Sequence, residues 1–245
     1  MTDTGAAMSS APAQQPSFWE DLIDIFVSPV EVFRRRQYKS AWPALLFVTI
    51  AIGVISYFTF NAMAPLIEGD IRRGMAAALA KNPQMTQEMA DKMTTTSMNV
   101  GRWTIGPILL ITMAIVGLIG WLVGKLFGSK QTVSAAMVMV GWAYMPRVLG
   151  AVIGAIQGLV IDTSNLTSIQ ALSLSPARFL DPDKANPFIY QLSTRLDLIT
   201  IWVTILLGVG MYVTGRLTKG RATAFTIVMW ILGSLPQLRA ALTAK

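Results

Sequence analysis

Residues 132–161 read TVSAAMVMVGWAYMPRVLGAVIGAIQGLVI, an almost unbroken apolar run with one proline, Pro146, and one charge, Arg147, near its middle. A charge at the bilayer centre costs several kcal/mol, so the run either spans with a buried functional arginine or does not pass straight through. Roughly 30 residues make a straight helix of about 45 Å at 1.5 Å per residue. The hydrocarbon core is about 30 Å thick and needs only about 20. A span of that length ending at Ile161 begins near Trp142, with Trp142 and Tyr144 as aromatic anchors at the near interface. On this reading residues 132–141 form an interfacial or re-entrant lead-in, bent away at Pro146. Arg147 then snorkels toward the cytoplasmic headgroups, where it holds a lipid phosphate or caps a neighbouring helix. No Asp or Glu lies deep in any expected span, which favours this shallow placement.

The rest of the chain has the same character. Of 245 residues, 53% are hydrophobic and 13% charged, against about 25% charged in a soluble domain, and the mean hydropathy is +0.53. This is a multi-pass, all-α membrane protein by composition. The net charge of +7 places Lys and Arg in loops against lipid headgroups rather than on nucleic acid. With no cysteine and no histidine, disulfides, the usual zinc sites and histidine general bases are excluded. No cofactor, metal or catalytic residue is expected.

Taken in order, residues 1–16 read as a disordered tail and 17–40 as a cytoplasmic amphipathic segment. Ser17 with Glu20, and Ser28 with Glu31, have capping-box spacing, and Pro29 takes the first helical position of the second helix. The helix after Ser17 is expected to lie on the membrane surface. Residues 41–245 form the membrane domain, with five spans near 42–66, 103–127, 135–161, 197–215 and 222–241. A polar loop occupies 67–101, helical from Ile71 to Ala80, broken at Asn82-Pro83 and helical again from Thr86. A second polar loop occupies 162–196. Gly120, Gly124 and Gly128 in span two, and Gly150, Gly154 and Gly158 in span three, repeat every four residues, a spacing that lets helix backbones approach closely in lipid. They are read as the packing faces of those spans. The densest cations, Arg34 to Lys39 and Arg216 to Arg221, sit in a helix end and short turns, so the N-terminus is expected in the cytoplasm and the C-terminus on the opposite face.

At Phe26-Val27-Ser28-Pro29-Val30-Glu31-Val32-Phe33-Arg34 the chain resembles the Yip family (Ypt-interacting proteins). The resemblance continues at Asn82-Pro83-Gln84-Met85-Thr86, from Gly141 to Pro146 and at Gly220-Arg221-Ala222, and covers residues 20–240. It implies a five-helix membrane domain with a cytoplasmic N-terminus and no catalytic residues. The Asp-Leu-x-Gly-Pro signature of the eukaryotic, Rab-linked members is missing. The bacterial branch, some of it linked to ABC-type export, is the nearer comparison and implies the cytoplasmic (inner) membrane.

Two functions follow. The first is a non-enzymatic adaptor or scaffold in membrane transport or trafficking, in which Ser28, Pro29, Glu31, Phe33, Arg34, Arg35 and Arg36 meet other membrane proteins or anionic headgroups. The second is a transporter or lipid-handling protein using Pro146 and Arg147 near the cytoplasmic side of span three.

Overall fold

The structure, a computed structural model, describes residues 17–242. The expected tail at 1–16 and the last three residues lie outside them. The described residues are helical, with no strand among them. The helices are α1 (Phe18–Val27), α2 (Pro29–Arg36), α3 (Trp42–Lys81), α4 (Gln87–Leu126), α5 (Val133–Ala143), α6 (Met145–Val160), α7 (Pro187–Arg195), α8 (Leu198–Thr214) and α9 (Lys219–Leu242). Three short 3-10 turns lie between α6 and α7.

α1 starts at the expected capping box: Ser17 Oγ accepts from the Glu20 amide, and the Glu20 carboxylate accepts from the Ser17 amide at 2.6 Å. The second box does not form. Ser28 makes no side-chain cap, and Glu31 turns to Arg34 instead, at 2.6 Å.

α3 and α4 are each 40 residues long, about 60 Å against a hydrocarbon core of about 30 Å. Residues 67–101 are therefore mostly helix rather than loop, and Pro65 lies inside α3 instead of ending it. Good helix formers, Ala76 to Ala80, ion pairs one turn apart, Glu68–Arg72 and Asp70–Arg73, and a half-buried stripe of Ile67, Ile71, Met75 and Leu79 carry α3 onward. The break comes only at Asn82-Pro83, and Thr86 caps α4 by accepting from the Met89 amide. The two helices run antiparallel. They come close at Gly53 and Gly106, where a Cβ on Gly53 would lie 3.6 Å from the Gly106 Cα.

Residues 133–160 are one long helix broken at Tyr144. Contrary to the sequence reading, its first half is no interfacial lead-in. Ala136, Val138, Met139 and Val140 are fully buried, and Trp142 and Tyr144 are only 2% and 5% exposed. A helix apolar all round belongs in the centre of the bundle, and α5 packs there against α3, α4 and α8. Pro146, in the first turn of α6, costs no hydrogen bond at that position.

The glycine repeats do not pack on one another. Gly120 faces Met139 and Phe225, and Gly124 faces Met211. Gly150 receives Ile199, Gly158 receives Met63, and a Cβ on Gly154 would meet nothing within 4 Å. Gly128 lies beyond the end of α4 with φ +83°, so it is a turn residue that needs glycine rather than a packing one.

Three helices, α3, α4 and Val133–Val160, are long and apolar enough to cross a membrane, and α7 with α8, bent by 55°, makes a fourth if taken as one span. Their outer faces suit lipid: Leu46, Ile50, Val54 and Phe58 on α3, and Ile108, Ile111, Ile115 and Leu122 on α4, are all exposed.

Candidate functional site

Two places gather chemistry-bearing side chains. The first is the corner of α1 and α2. The break at Ser28 folds α2 back along α1, so acids of the first helix meet cations of the second. Asp21 is fully buried and accepts from both Arg35 and Arg36, and Arg35 also reaches Asp24 at 2.6 Å. Arg36 stacks on the Trp142 ring, 5.6 Å from its centroid. Burial works against the charge on Arg35, but its hydrogen bonds to Asp24 and Asp21 outweigh that and hold its guanidinium above the ordinary value. Phe18 packs on Phe47 and Trp142, and Phe26 on Trp202. α1 is thus wedged against the bundle, with Trp19, Ile23 and Val27 forming its exposed stripe.

This geometry divides the residues read as a contact surface. Phe33 is fully buried, seated against Gly210 of α8 at 3.2 Å from where its Cβ would be. It belongs to the core, because a large aromatic that fits against a glycine is held by packing on every side. Arg35 and Arg36 spend their charge on Asp21. Ser28, Glu31 and Arg34 remain exposed and Pro29 is half-buried. The signal for the corner was present as two acids and two arginines flanking a Ser-Pro break, but pairing them requires the fold-back.

The second place surrounds Arg147. α8 runs from Asp197 to Gly215, and the Gly215 carbonyl accepts from the Lys130 amide at the end where Arg216 meets the Tyr38 hydroxyl. Arg147 lies at the opposite end of α8, about 25 Å away, where Gly150 meets Ile199. The expected placement near the N-terminal side is therefore corrected: antiparallel packing of α5–α6 on α8 carries residue 147 toward the far end. There Arg147 and Arg195 share a cavity of about 440 Å³ with Gln170, Ser173, Asp197 and Thr200. The two cations repel across it. Arg147 lies over the Tyr144 ring at 5.2 Å, and its Nε is buried with no hydrogen-bond partner. Arg195 donates Nε to Ser234 Oγ at 3.0 Å. Asp197 is occupied as the cap of α8, accepting from the amides of Thr200 at 2.9 Å and Leu174 at 3.2 Å. Neither arginine forms an ion pair among the described residues. Nothing in the spacing of residues 147 and 195 links them in the sequence.

A second chamber, of about 520 Å³, adjoins this one between α3, α4 and α6. Its walls are apolar, with Ile55, Phe60, Met63 and Ile105 among them, and Gly154 opens onto it. Ala151, Gln170, Leu172 and Ser173 line both chambers.

The described residues are helical without strands, and three or four of their helices are long and apolar enough to cross a membrane, as in an integral membrane protein. The Yip1 domain family model matches residues 23–237, and the chain belongs to that family. The match takes in Arg35, Arg147 and Arg195 and begins just after Asp21. The family is not known as one of enzymes. No curated protein and no solved structure matches the chain significantly.

Proposed function

We propose that the protein is a non-enzymatic membrane adaptor or scaffold of transport or trafficking, with five spans in a bacterial cytoplasmic membrane. In this reading α3, α4, α5–α6, α8 and α9 each cross. For α9 the support is its packing on α8 and a lipid-ready face of Ile227, Ile231 and Leu235 opposite the buried Phe225. The termini then lie on opposite faces.

The observation that carries the reading is one strongly basic end. Arg34, Lys39, Lys130, Arg216, Lys219 and Arg221 are all exposed there, on α2, the turns after α2, α4 and α8, and the first turn of α9. The Tyr38–Arg216 and Lys130–Gly215 hydrogen bonds tie these segments together. Cations gathered beside the bilayer favour the cytoplasmic leaflet, at about 1 kcal/mol each near an anionic surface, and offer an acidic partner or headgroup layer a fixed surface. The chemistry for an enzyme is thin: there is no His or Cys, and the buried acid Asp21 is already paired.

The test is in-membrane crosslinking followed by pull-down. Reversing Arg34, Lys219 and Arg221 to Glu, all exposed and outside the core, is expected to remove most crosslinked partners while the chain still inserts. An unchanged partner set would refute the adaptor role of this end.

A further inference from the structure

We infer that the paired chambers form a binding site for a single anionic amphiphile, a lipid whose phosphate or carboxylate headgroup sits between Arg147 and Arg195 and whose acyl chain lies in the apolar chamber. This goes beyond the scaffold role, which rests on the opposite end of the bundle.

Three features point the same way. Two guanidinium groups line one cavity against a single carboxylate, Asp197, which accepts from two backbone amides and leaves the lining with one positive charge in excess. A buried arginine Nε with no partner is an unmet donor, and leaving such a donor unmade is costly. An oxyanion supplies acceptors for both arginines at once, and guanidinium forks fit carboxylate and phosphate geometry. The polar cavity does not stand alone. It lies beside the apolar chamber, and the two share Ala151, Gln170, Leu172 and Ser173 as lining, so a charged and an apolar site are set next to each other, as the two halves of a lipid require. Each chamber falls in the range of about 300–1,000 Å³ usual for ligand pockets. A free inorganic anion would use only the first of them.

Gly154 gives a direct handle on the second. A Cβ there meets nothing within 4 Å and the residue opens onto the chamber, so a larger side chain fills the space without clashing at its root.

The experiment is equilibrium binding of radiolabelled phosphatidic acid to the full chain in neutral detergent micelles, with inorganic phosphate and a neutral diacylglycerol as competitors. Saturable binding is expected, weakened at least about tenfold by Arg147→Gln with Arg195→Gln, and only partly restored in the Lys pair of variants, which keeps the charge but not the guanidinium fork. Gly154→Leu is expected to weaken binding similarly while leaving the thermal midpoint of the chain in place. Neither competitor should displace the lipid at equal concentration. Competition by inorganic phosphate would identify a free-anion site and overturn the amphiphile. Binding that survives both Gly154→Leu and the Gln pair, or no saturable binding by the unmodified chain, would overturn the site itself. Because neither outcome depends on the basic end, failure here leaves the scaffold reading intact.

Discussion

Asp21→Asn is expected to cost about 3 kcal/mol of stability, the low end of the range for breaking a buried ion pair from one side. The carboxylate is fully buried and serves both Arg35 and Arg36. Their side chains remain 29% and 21% exposed, so water relieves part of the loss, and Asp24 keeps one bond to Arg35. Without the Asp21 charge, two cations stay pressed between α1 and the bundle with the carboxylate they share neutralised. The measurement is the thermal midpoint of the detergent-solubilised chain together with protease cleavage between residues 17 and 40. Asp21→Asn should lower the midpoint and expose this segment to cleavage. Asp24→Asn, at a carboxylate 34% exposed, should have an effect nearer that of a surface pair, below about 1 kcal/mol. Equal effects from the two would contradict the buried cluster.

Phe33→Ala is expected to cost about 3 kcal/mol, the low end for emptying an aromatic site in a core. Phe33 is fully buried in the cluster that also holds Ile25, Val32, Met139 and Met211. Where the alternative surroundings are lipid, the transfer part of the loss shrinks, and the cost is mainly the contacts left facing a void. The hole opens where α2, α5 and α8 meet, since Gly210 brings its bare backbone against both Phe33 and Met139. Trp19→Ala on the exposed face of α1 should change stability little. If Phe33→Ala changed partner crosslinking but left the thermal midpoint untouched, Phe33 would be a contact residue after all.

These two residues also mark what the sequence can and cannot tell. The class was legible because lipid demands long apolar helices, and the turns at Ser17, Asn82-Pro83 and Thr86 are local chemistry that a one-dimensional reading captures. The helix from Ile71 to Ala80 was legible too, but not its continuity with the first span, because Pro65, Glu68 and Asp70 look like a break until the one-turn pairing of the acids with Arg72 and Arg73 is counted. Trp142 and Tyr144 have the composition of interface anchors, and only the helices packed around α5 make them core. The burial of Asp21 and the meeting of Arg147 with Arg195 arise from chain crossings between distant segments, to which local spacing carries no clue. Arg147 itself stood out as an intramembrane charge; its depth depended on the direction in which α8 runs beside it.

A five-span scaffold with its basic end in the cytoplasm and its termini on opposite faces can be checked by cysteine labelling in a chain that has no cysteine of its own. Single variants Lys39→Cys, Lys219→Cys, Lys184→Cys and Arg239→Cys would be treated with a membrane-impermeant maleimide in right-side-out and inverted vesicles. Positions 39 and 219 are expected to react only from the cytoplasmic face and positions 184 and 239 only from the other. Reaction of positions 39 and 239 from the same face would contradict it.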